Sequence, residues 1–74
     1  MKSRKYRLPR PAFVYDNVAS MKQTRAACHI PLAEVSKQTL IPIVLIDDWE
    51  NKLRYPSKAN YNKLANFFEW EIWE

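Results

Sequence analysis

Two adjacent pairs and one basic cluster are the side chains of this chain best equipped for chemistry. Cys28 and His29 stand side by side, and a thiolate beside an imidazole makes a nucleophile. Neighbours on a helix point in different directions and do not form that pair. Cys28 is therefore expected in the core, and His29 at a helix end. Asp47 and Asp48 are also adjacent; on a helix they diverge by about 100° and cannot share an acid–base site. Lys2, Arg4, Lys5, Arg7 and Arg10 crowd the start of the chain, and their chemistry is phosphate binding. Tyr6, Tyr15 and Tyr55 stand among bases and could stack on nucleobases, although covering a core is the commoner use of such rings. One His and one Cys cannot assemble a zinc site. The expectation is a binding module and not an enzyme, with no catalytic residues, no metal and no cofactor.

The elements that position these groups have little room. Seventy-four residues make one small domain, and a chain this short buries only about 60% of its unfolded surface. A composition 47% hydrophobic and 14% aromatic is still too apolar for disorder. No stretch approaches the ~20 apolar residues of a membrane span. The basic start has no apolar run behind it, unlike a signal peptide. A single cysteine forms no internal disulfide, which fits a reducing cytoplasm. The net charge of +4 is unevenly spread. Residues 1–25 hold seven bases against the single acid Asp16, and residues 26–74 hold five bases against seven acids. The positive excess sits in the leading arm, where it serves either nucleic acid or simple solubility.

Met1–Pro11 reads as extended, because Pro9 and Pro11 turn the residues before them away from helix. The arm is taken as residues 1–15, with Ala12–Tyr15 pinning it to a domain of residues 16–74. Asp16 or Asn17 can cap a helix running to about Cys28, with Val18, Met21, Arg25 and Cys28 on one stripe. The chain has no glycine, so His29 is the residue to end that helix in a left-handed cap. Pro31 opens a second helix, with Glu34 in its first turn and Val35 and Ser36 inward, ending near Thr39 or Leu40. Leu40–Ile46 alone reads as a buried strand, whereas Pro42 suits a helix start. Ser57 caps a helix over Lys58–Phe68, with Tyr61, Leu64, Ala65 and Phe68 on its apolar face. The tail, Glu69–Glu74, suits either a last helical turn or an extended segment.

Arg25, Ile30, Val35, Ser36, Thr39, Ile41, Ile46, Trp49, Glu50, Pro56, Ser57, Tyr61, Leu64, Ala65 and Phe68 fall into one register without a gap. In that register the chain resembles the lambda-repressor-like (XRE, Cro/cI-type) helix-turn-helix family over residues 17–70. The resemblance implies an all-α fold: a compact helix-turn-helix bundle of four to five helices with a basic N-terminal arm. It makes residues 40–46 the entry to a third helix and not a strand. It also implies a partly buried salt bridge between Arg25 and Glu50. Leu40 then occupies a turn where the family has glycine, so either a left-handed backbone or a distorted turn that avoids it is expected there.

The chain departs from the family where the family touches DNA. Leu32 stands where glutamine is common. Ile43, Val44, Asp47 and Asp48 stand where Arg, Gln, Ser, Thr, Asn or Lys face the groove. Base edges are read by hydrogen bonds; Ile and Val make none, and adjacent carboxylates are repelled by phosphate. In one account Ile43, Val44 and Leu45 are further core. In the other they form an exposed patch for a protein partner. With Ile41, Ile46 and Trp49 inward, Ile43, Val44 and Asp47 turn outward, which favours the patch. The expected function is a small transcription regulator that binds another regulatory protein through Leu32, Ile43, Val44, Asp47 and Asp48. A repressor's DNA-binding domain suits such a face, as for a phage or mobile-element antirepressor. The alternatives are a DNA-binding repressor that uses Lys2, Arg4, Lys5, Arg7 and Arg10, and a homodimer formed through the third helix.

Overall fold

A computed structural model describes residues 9–74, and all their regular structure is helical: α1 Ala12–Ala27, α2 Leu32–Thr39, α3 Ile43–Glu50 and α4 Lys58–Phe68. Proline sets three of the four starts. Pro11, Pro31 and Pro42 each sit just before a first helical residue, where a fixed φ suits helix entry and a missing N–H leaves no orphan donor. The carbonyl of Pro42 accepts from the amides of Leu45 and Ile46. The β-branched run is therefore helix from Ile43 onward, and the strand reading of this segment fails. The fourth helix opens on Ser57, whose hydroxyl accepts from the Asn60 amide at 3.2 Å.

α1 begins earlier than the expected cap at Asp16 or Asn17. Pro11 provides the entry, and Val14 is buried in phase with Val18 and Met21. The apolar patch Ala12–Tyr15 is thus the first turn of α1, and the bundle starts at Ala12 and not at residue 16. At its other end, Cys28 is exposed and not in the core. The helix stops at Ala27 and the backbone turns at Cys28, so the apolar stripe does not continue to that side chain.

Each helix ends on a left-handed residue, and none of them is glycine: His29 (φ 58°), Leu40 (61°), Lys52 (62°) and Glu69 (62°). After α1 the amides of His29 and Ile30 bond to the carbonyls of Ala26 and Arg25. After α3 those of Lys52 and Leu53 bond to Trp49 and Asp48. These paired bonds satisfy the last carbonyls of each helix and hold the left-handed turn in place. For a residue with a Cβ that conformation costs ~1–2 kcal/mol.

The core takes Val14, Val18 and Met21 from α1, Val35 from α2 and Ile41 from the turn. Ile46 and Trp49 from α3 and Tyr61, Leu64 and Ala65 from α4 complete it. The tail takes no helical turn and runs back along α4. Trp70 stacks on Tyr61 and Phe68, with ring centroids 5.7 and 4.9 Å apart. The Asn62 amide bonds both the carbonyl and the N–H of Trp73 at 2.8 Å. Among the described residues no helix is long and apolar enough to cross a membrane.

Candidate functional site

The orientation of α3 is fixed by one ion pair. Arg25 Nε and Nη2 donate to Glu50 Oε2 and Oε1 at 2.6 and 2.8 Å, and Nη1 donates to the Ile30 carbonyl at 2.8 Å. The side chains are 14% and 2% exposed. The bond to Glu50 raises the Arg25 pKa above its ordinary value, against the opposing effect of burial. This fork ties the end of α1 to the end of α3, the pairing that the family resemblance implied. With Glu50 held there and Ile46 and Trp49 in the core, the opposite face of α3 is turned to solvent. Ile43 is 44% exposed, Val44 is 64% exposed, and Asp47 is exposed.

The other predicted partner-binding residues divide. Leu32 is half-buried and packs on the core, as does Leu45, so neither stands free on the outer face. Asp48 is bound by Arg54, with Nε and Nη2 at 3.0 and 2.9 Å from Oδ2. Asp47 makes no ion pair among the described residues. The two neighbouring acids therefore differ: Asp48 belongs to the α3–α4 connection, and Asp47 is the carboxylate that faces outward. Among the binding residues, sequence reasoning did not name Leu40, a further exposed apolar residue in the turn before α3. It is 83% exposed, beside Ile43 and Val44 in the chain, and it holds a left-handed backbone. Its signal was legible: a large apolar residue stands at a turn that favours glycine, with no core position to justify it.

Of the predicted nucleic-acid residues, Lys2, Arg4, Lys5 and Arg7 lie outside the described residues. Arg10 is engaged in the fold. Its Nε and Nη2 donate to the carbonyls of Pro56 and Tyr55 at 3.0 and 3.4 Å, fastening the base of the arm to the α3–α4 connection. Tyr15 and Tyr55 pack edge to face at 4.9 Å, in the covering role and not as a stacking platform.

The face can therefore desolvate aliphatic surface and offer one carboxylate. It presents no hydrogen-bond donor suited to a base edge on Leu40, Ile43 or Val44. Among the described residues no group of three His, Cys, Asp or Glu is placed to hold a metal. No protein-family model, no curated protein and no solved structure matches this chain.

Proposed function

We propose that this chain is a small transcription-regulating helix-turn-helix protein that docks α3 onto another regulatory protein. The partner chemistry that fits best is the basic, DNA-contacting surface of a repressor's DNA-binding domain. One observation carries the reading: the outward face of α3 presents Ile43, Val44 and Asp47, after an exposed Leu40. A base reader needs donors and acceptors on that face. A protein-docking helix needs apolar anchors with charge beside them.

The energetics suit a modest, specific contact. Full burial of an aliphatic side chain contributes ~1.5–3 kcal/mol. Leu40, Ile43 and Val44 have much of that surface still to lose. Asp47 adds orientation and faster encounter with a basic partner more than affinity. The positive excess of residues 1–25 supports a second, subordinate contact with phosphate, which is sequence-blind and salt-sensitive.

The test is a selection from random duplex DNA at fixed salt. A docking protein enriches no sequence, and any duplex binding falls steeply with salt. Specific readers prefer their site by ~10³-fold or more over other DNA. A preference of that size overturns the proposal in favour of a DNA-binding repressor.

A further inference from the structure

A groove of about 420 Å³ lies between the start of α1 and the tail, lined by Pro11, Phe13, Glu71, Ile72, Trp73 and Glu74. Both charged residues in its walls are acids, and neither makes an ion pair among the described residues. The Phe13 and Trp73 rings both pack on Tyr61, each with its centroid 6.2 Å away. The tail wall is held in place. Tyr61 donates its hydroxyl to the Glu71 carbonyl at 2.6 Å, and Asn62 bonds the N–H and the carbonyl of Trp73, each at 2.8 Å. These bonds skip Ile72, whose own N–H and carbonyl make no hydrogen bond among the described residues. Successive residues of an extended chain turn their backbone groups to opposite sides, so those of Ile72 point away from α4.

We propose that this groove is a docking site for a basic segment of a partner protein, laid in extended form against the tail with a Lys or Arg side chain set among Glu71, Glu74 and the rings. Three observations select this occupant. The charge in the walls is wholly negative, so its complement is a cation. The Phe13 and Trp73 rings suit a cation that lies over an aromatic face, and the apolar surface of Pro11 and Ile72 suits the alkyl stem of Lys or Arg. The backbone of Ile72 offers a donor and an acceptor to an added extended segment, as in recognition at a sheet edge. Because the tail and both rings are already held, little ordering is needed on binding. The groove shares no residue with the outward face of α3, so it stands whether or not that face docks a regulator.

Titration of the isotope-labelled full chain with the peptide acetyl-Thr-Lys-Thr-Lys-Thr-amide at low salt, followed by NMR, tests this. The expected result is saturable shifts at the Phe13 ring, the Ile72 amide and the Trp73 indole N–H. The same peptide with norleucine in place of both lysines should bind roughly 3–10-fold more weakly, the loss of two exposed ion pairs. The Glu71→Gln/Glu74→Gln variant should lose as much affinity for the lysine peptide. Both acids are exposed, so the variant keeps its fold, and an unchanged melting temperature verifies that. No saturable shift at these three residues overturns the proposal, and so does equal binding of the norleucine peptide. Equal affinity for butylammonium makes the groove a small-cation site and overturns the peptide guest. The same shifts on concentrating the chain alone give the groove to a second copy and overturn it too.

Discussion

Removing Arg25 should cost this domain more than any other single truncation of a charged side chain among residues 9–74. The Glu50 side chain is 2% exposed and receives two bonds from the guanidinium, at 2.6 and 2.8 Å. In Arg25→Ala that carboxylate stays buried without its counter-charge, and such a loss costs ~3–5 kcal/mol. The Ile30 carbonyl also loses its donor, worth ~1 kcal/mol. A 74-residue domain has a total stability of only ~4–11 kcal/mol at ~0.05–0.15 kcal/mol per residue. At ~4–8 °C per kcal/mol for a domain of this size, the melting temperature should fall by at least ~15 °C, or the variant should fail to fold. Lys22→Ala, at an exposed position of the same helix, should stay within ~0.5 kcal/mol of wild type. Arg25→Met/Glu50→Leu should recover most of the loss, because a packed apolar pair replaces a buried ionic one at little or no cost. Circular dichroism melts of the four chains measure this. Equal melting temperatures for Arg25→Ala and Lys22→Ala would refute the reasoning.

Other consequences can be measured with the same purified chain. Leu40→Gly removes a left-handed Cβ and should stabilise the fold by about 1 kcal/mol in denaturant titrations, while weakening partner binding by loss of exposed apolar surface. Asn62→Ala, which releases Trp73 from two hydrogen bonds, should cost ~1–3 kcal/mol and shift the tryptophan emission. Burial raises the Tyr61 pKa above its ordinary value of 10.0, outweighing the hydrogen bond from Asn17. The folded state therefore holds that proton more tightly than the unfolded state. Its contribution is intact below pH ~10 and is lost as the pH rises further. Stability should fall above pH 10, and Tyr61→Phe should flatten that fall while lowering stability at neutral pH.

Where single residues dictate backbone geometry, the sequence was informative. Pro31, Pro42 and Ser57 mark helix starts and His29 marks a left-handed end, while the left-handed backbone found at Leu40 is one of the two outcomes the family resemblance implied. The buried face of α3 also followed from register, because Ile46, Trp49 and Glu50 leave Ile43, Val44 and Asp47 a single direction. Features that depend on side-chain partners far along the chain were not legible. Nothing local says that Arg10 reaches the Pro56 carbonyl, 46 residues away, or that Arg54 claims Asp48 and spares Asp47. Cys28 was misplaced because helical periodicity was carried past the point where the helix ends. The start of α1 was missed for the converse reason: Asp16 is a good cap by type, but Pro11 had already opened the helix and Val14 continues its buried stripe.

Affinity capture from nuclease-treated extract of the native host, with wild type and Val44→Asp side by side, tests the docking role of α3 most directly. Val44 is 64% exposed, so the substitution leaves the core untouched, and an unchanged melting temperature verifies that. An α3 docking face predicts that wild type retains a DNA-binding regulator without DNA and that Val44→Asp and Asp47→Arg both release it. Retention of the same protein by all three chains, or no regulator retained by wild type, would contradict it.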